Sequence, residues 1–454
     1  MGGTAWEPPQ SDRSLGLGFY ATQSPGVTGV LKSRSEDFVV REISSYPVPV
    51  PDGPFTVLRV ASRDWEQHEL AERIAERLHL PPHAVSWAGT KDRRALAERL
   101  LSYRGPLPEG PLGLRDVEVT EAYRARDGLS LGHHYGNGFD IRIEILGEPL
   151  PSAFDRLRTT RLELLGLGGF PNFFGLQRFG EVRPMTHEVG RALVRGDPEA
   201  AVEVYLTWLP VEGEVLGAEA RRSYAEHHDA ARALSEFPRE FRFERVLLDH
   251  LAKGHDASRA LRGLSRELRL LFIHAYQSWL FNRWLTARHD RGISLLAPVP
   301  GDRILRQLKD GTVSGKDAVP VGADNLPECV DLVGRGRARL AGPLVGYDTP
   351  PLEGEAGELL ERLLEEEGVT REKFRLPKNP EVSSAGAYRP AWIPIPPIAL
   401  RLESAKTEAA TTPRGGGVWL TFALPKGCYA TVLLREFLKS GAVEGVAPAS
   451  QTQS

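Results

Sequence analysis

The chain has 454 residues, 41% hydrophobic and 26% charged, with 57 basic and 60 acidic side chains and a net charge of -3. This is ordinary for a soluble globular protein of about two or three domains, long enough to bury a core without disulfide or metal staples. Two distant cysteines (Cys329 and Cys428), no Cys/His cluster at zinc spacing, no apolar leader after Met1 and no apolar run near about 20 residues argue against a disulfide scaffold, a structural metal, a signal peptide and a membrane helix.

The expected compartment is a reducing cytoplasm. The balanced charge neither advertises nor excludes a nucleic-acid partner, because binding depends on where positive charge clusters. Oligomeric state is not readable.

In chain order, residues 1–15 are polar and rich in Gly and Pro, and are expected to be disordered, as is the small, polar tail 443–454. Phe38 to Ile43 and Phe55 to Val60 read as strands. Leu70, Ala71, Ile74, Ala75 and Leu78 mark one face of a helix that Pro81-Pro82 stops. Val85 to Ala88 reads as a buried strand, and Arg94 to Tyr103 as a helix. In Phe139 to Ile145 the apolar residues alternate with Asp140, Arg142 and Glu144, which predicts a strand with one buried face. Helices dominate from Thr186 to Leu285, and short strands return over 297–346. Pro343 to Gly354 reads as a linker, and Glu355 to Glu367 as an acidic helix with a solvated charged face. Val418 to Ala423 reads as a strand and Tyr429 to Leu438 as a helix. The pattern indicates an α+β chain with a helix-rich insertion.

The segment Trp87-Ala88-Gly89-Thr90-Lys91-Asp92-Arg93-Arg94-Ala95 sets a carboxylate just past a strand, on a Gly-started turn, beside three cations. A carboxylate so placed stays ionised and can act as nucleophile or general base. By itself the segment fits a surface turn with ion pairs better than a catalytic site, and Gly315-Lys316-Asp317 repeats its core triplet in an expected hairpin.

Further segments follow in fixed order: Lys32 to Val40, containing Glu36-Asp37-Phe38; Leu131 to Phe139, containing His133-His134; Pro171-Asn172-Phe173-Phe174-Gly175-Leu176-Gln177-Arg178-Phe179-Gly180; Gln277 to Asn282; and Leu424 to Thr431. From about residue 28 to 440 this ordered set resembles the TruD family of pseudouridine synthases, most of all its larger archaeal members. Ser35 stands where that family has Pro, and Leu96-Ala97-Glu98-Arg99 where it has a Thr-rich or Gln-containing stretch.

The resemblance implies a pseudouridine-synthase catalytic domain with a mixed, mainly antiparallel sheet, formed by 16–197 and 392–440, and a TruD-specific α/β insertion over 198–391. The substrate cleft would lie between them, and the substrate would be tRNA at uridine 13. Asp92 would be the catalytic carboxylate, with Lys32, Asn172 and Phe174 at the active site and Phe174 stacked on the base. Lys91, Arg93 and Arg178 are expected to contact RNA. No cofactor or metal is expected. A non-catalytic RNA-binding protein or tRNA chaperone is the rival reading, and a carboxylate-dependent hydrolase a weaker one. Ser278 and Asn282 on an apolar helix need polar partners, which favours a structural role for that helix. His133 and His134 are structural or near the RNA.

Overall fold

The computed structural model of the chain describes residues 6–210, 215–308, 312–403 and 416–439, and the backbone of 442–444. The chain forms two compact units, one of Met1–Trp6, Tyr20–Phe170 and Pro394–Ser454, the other of Glu7–Phe19 and Pro171–Ile393.

The first unit is built on a ten-stranded mixed sheet. Its strands include β1 (Gly29–Leu31), β2 (Phe38–Ile43), β3 (Phe55–Arg63), β4 (Ser86–Trp87), β5 (Leu96–Arg104), β6 (Val117–Ala125) and β7 (Gly136–Ile145). The order runs Ala399–Leu402, Gly417–Pro425, β7, β2, β5, β3, β6. Most pairs are antiparallel. The exceptions are β2 with β5 and β1 with Ala442–Glu444. Period-two alternation builds this sheet. Leu58 and Leu101 pack on one face with Leu70 and Ile74 of the helix Gln67–Arg77, while Val57 and Leu100 face the other way with Leu129. The helix starts where Glu66 accepts from the backbone of His68 and Glu69. Burial of a side chain such as Ile74 contributes about 1.5–3 kcal/mol.

One expected element changes type. Leu96–Arg104 is a strand, not a helix, because it is hydrogen-bonded on both sides, parallel to β2 and antiparallel to β3. Its apolar spacing suits either geometry, and non-local pairing decides. Glu98 is therefore a strand residue, ion-paired with Arg59 at 3.1 Å.

Among the described residues the second unit has seven helices between Thr186 and Asp290, the last of them the 25-residue helix Arg266–Asp290. A four-stranded antiparallel sheet is ordered Val313–Pro320, Arg303–Gln307, Ala338–Leu344, Ala387–Pro390. The helix Gly354–Glu366 buries Leu359, Leu360, Leu363 and Leu364 and leaves its acidic face to solvent. Pro343 and Leu344 are not linker but the end of a strand paired with Tyr388 and Ala387, and the chain turns back through a Thr349 Oγ1 contact with the Gly346 amide.

The longer segment of this compact unit is Pro171–Ile393. Thr186–Arg195 and Pro198–Thr207 share one apolar core with Leu247, Leu261 and Phe272, so they pack with the helices that follow. It also claims Glu7–Phe19, most of which was expected to be disordered. Gln10–Ser14 is helical, Leu15 is buried, and the Trp279 indole and Asn282 amide donate to the Ser14 and Leu15 carbonyls. Residues 1–5 and 445–454 lie outside the described residues. The backbone of 443 and 444 belongs to the short strand beside β1.

Candidate active site

The loop from Ala88 to Ala95 joins β4 to β5 and is pinned along its length. The Ala88 carbonyl accepts from the Gly132 amide at 2.7 Å, Arg94 donates to the Ser33 carbonyl at 3.1 Å, and the Asp64 amide donates to the Ala95 carbonyl at 3.2 Å. A Cβ at Gly89 would sit 2.9 Å from the tip of the His134 ring, so a larger residue there would push that ring aside. The loop thus holds its charged residues in fixed directions.

Asp92 Oδ1 receives the Lys32 ammonium at 3.3 Å, with side chains 21% and 14% exposed. This is a partly open carboxylate–ammonium pair formed across 60 residues of sequence. Lys32 is held from two sides. Its φ of 55° is the left-handed region, sparsely used by non-glycine residues. Its ammonium also lies 4.5 Å from the centroid of the buried Phe38 ring, a cation–π contact. Arg93 is exposed beside the pair.

Lys91 departs from expectation. Its ammonium donates to Glu42 Oε2 at 2.7 Å, and the two side chains are 1% and 0% exposed. It has no charge to offer an RNA backbone. Burial pushes the Lys91 pKa down, against the pull of Glu42. Burial and the Lys91 cation likewise lower that of His134. Gly315-Lys316-Asp317, the same triplet, lies on the strand Val313–Pro320 with Lys316 and Asp317 exposed and no comparable setting.

Asn172, Phe174 and Arg178 belong to the second unit. Asn172 is 2% exposed, and its amide is engaged at both ends. Nδ2 donates to the Pro390 carbonyl at 2.9 Å, and Oδ1 accepts from Arg389 at 2.7 Å. Its hydrogen bonds go to the Ala387–Pro390 strand, which is a structural use. The Phe174 ring is 7% exposed, with the Arg389 guanidinium 4.0 Å over it and Phe281 edge-on at 5.6 Å. As placed it is a packed ring rather than an open stacking surface. Asn282 explains its fixity, accepting from the Phe174 amide at 2.8 Å and donating to its carbonyl at 3.0 Å. That is the polar partner the helix motif required. Arg178 donates to Ser278 at 3.0 Å and lies 5.6 Å from the Phe174 ring.

Within the first unit the structure gathers Lys32, Lys91, Asp92 and Arg93, and within the second it gathers Asn172, Phe174 and Arg178 around Arg389. Glu42 and Arg389 escaped sequence reasoning. Glu42 had a signal, since it shares the period-two phase of Phe38 and Val40 and so had to point inward on β2. Arg389 had none, because its hydrogen-bond partner Asn172 lies 217 residues away. Among the described residues no three His, Cys, Asp or Glu side chains are grouped to hold a metal ion, and no helix is long and apolar enough to cross a membrane.

Residues 14–437 match the family model described as tRNA pseudouridine synthase D (TruD). A "Probable tRNA pseudouridine synthase D" of Halobacterium salinarum is 36% identical over 449 residues, covering 94% of this chain and 97% of its own length. Its namesake in Methanosarcina acetivorans is 34% identical over 437 residues, covering 95% and 98%. A crystal structure from Methanosarcina mazei, assigned to the same group, superposes with a TM-score of 0.79 at 33% identity, covering 95% of this chain and 98% of that one.

Proposed function

The chain belongs to the tRNA pseudouridine synthase D family of isomerases, and from that premise we propose that it converts uridine 13 of tRNA to pseudouridine with Asp92 as its catalytic carboxylate. In this reaction the bond between the sugar C1′ and the base N1 breaks, the base turns, and C1′ bonds to C5. The C5 proton is lost and N1 gains one, so composition is unchanged and no electron acceptor is needed. A positioned carboxylate can serve by attacking the sugar carbon or by taking a ribose proton. Both routes need an anionic oxygen at the sugar, and the Asp92 carboxylate supplies it.

The observation that carries this reading is the Lys32–Asp92 pair on a pinned, partly open loop. Lys32 orients the carboxylate and balances its charge near an anionic substrate, and exposed Arg93 is suited to a phosphate. Neither cysteine is in a disulfide, which fits a reducing, cytoplasmic setting.

Asp92→Asn tests the assignment. The substitution keeps size and some hydrogen bonding and removes the charge. It should fold, bind tRNA at least as tightly as the wild type, and yield pseudouridine only at background when the product is mapped chemically. Near wild-type product would remove Asp92 from the chemistry. If neither protein makes pseudouridine while both bind tRNA, the chain is an RNA binder on this scaffold.

A further inference from the structure

Behind the Asp92 loop lies an ion pair that the proposed chemistry does not use. The Lys91–Glu42 contact is closed to solvent on both sides. Such a pair is a poor way to stabilise a fold, because stripping two ions of water offsets most of their attraction. Glu42 Oε1 is also buried and accepts no hydrogen bond from the described residues. The groups facing Lys91 are Glu42 from β2, Arg99 from β5, Asp92 from its own loop and His134 from the 131–135 loop. Arg99 adds a second buried cation, pushed down to about 10 by burial and occupied by Gln67 and Ser62. Apolar residues of similar size would fill this place at lower cost, so a function beyond packing is indicated.

Position supplies it. Lys91 and Asp92 are chain neighbours whose side chains part company, the first inward to Glu42 and the second to Lys32. Wherever the Lys91 ammonium is tied, the direction of Asp92 follows. Gly89, closed against the His134 ring, holds the other end of the same turn. We propose that Glu42 is a positioning residue for the isomerisation: it keeps the Lys91 ammonium charged in the interior behind Asp92, and so fixes both the aim of that carboxylate and the positive potential it faces.

Without Glu42, burial would leave Lys91 neutral or draw the loop outward to water. A displacement of about 1 Å at a reacting group can cost on the order of 100-fold in rate.

The proposal rests on Asp92 being the reactive carboxylate, so Asp92→Asn is measured alongside. The decisive protein is the double variant Glu42→Leu/Lys91→Met, which removes both charges and leaves no lone ion in the interior. Its melting temperature and tRNA affinity should stay near wild type while kcat falls roughly 10- to 100-fold. A folded double variant with wild-type kcat, beside an inactive Asp92→Asn, overturns the role of Glu42 and leaves Asp92 standing. An active Asp92→Asn overturns the premise instead.

Glu42→Gln provides an independent reading. Here Lys91 loses the partner that holds its proton. Its charge supports activity below the Lys91 pKa and is lost above it, so the alkaline decline of kcat should begin at lower pH in the variant than in the wild type. A profile of wild-type shape overturns the proposal even if the double variant does not fold.

Discussion

Phe174 sits under the Arg389 guanidinium at 4.0 Å, with its backbone amide and carbonyl both taken by Asn282. Removing the ring would leave a cavity and strip the buried Arg389 cation of its nearer aromatic partner. Phe174→Ala should therefore cost about 3–5 kcal/mol of stability in denaturant unfolding. A loss below about 1 kcal/mol with a sharp fall in catalysis would return the ring to base stacking. What the sequence displays is residue type and order, and these pointed to Asp92 and to the aromatic segment. It does not display direction. Lys91 and Asp92 look alike as charged loop residues, and what separates them is Glu42, 49 positions earlier in the chain. Asn172 likewise turns to Pro390 and Arg389, more than 200 positions away.

Elements were legible where their periodicity is local. The alternation in Phe139 to Ile145 and the helical stripe from Leu70 to Leu78 both appear as read. Leu96–Arg104 failed because Leu96, Leu100, Leu101 and Tyr103 satisfy a helical spacing as well as a strand, and β2 and β3 settle the matter from outside the window. Close element contacts were equally invisible. In the second unit the helix Thr186–Arg195 crosses Arg266–Asp290 so tightly that a Cβ at Gly190 would meet the Phe272 carbonyl oxygen at 2.0 Å. Neither backbone can yield without moving a helix. Gly190→Ala should thus destabilise by about 1–3 kcal/mol, even though alanine is the better helix former. An unchanged or raised melting temperature would show that the two helices are free to separate.

At the scale of the molecule, a net charge of -3 cannot hold an RNA by itself, so affinity must come from local clusters of Lys and Arg. Binding of tRNA should weaken steeply with salt, the slope of log K against log salt falling by roughly 0.7–0.9 for each phosphate neutralised. A flat dependence would exclude that mode of binding. Charge reversal at exposed basic residues of the second unit, followed by the same titration, tests whether that unit shares the grip. The layout of the first unit has one more outcome, which concerns its manufacture. Gly417–Pro425 is the hydrogen-bonded neighbour of β7, yet about 270 residues of chain lie between them. At about 5–20 residues per second on a ribosome, β7 waits roughly 15–55 s with one edge unpaired. Through that interval the segment bearing Asp92 belongs to an unfinished sheet, while Pro171–Ile393 is being made and is complete before Gly417–Pro425 is reached. Birth order therefore completes the second unit first, and the carboxylate acquires its final surroundings only once Gly417–Pro425 has been made.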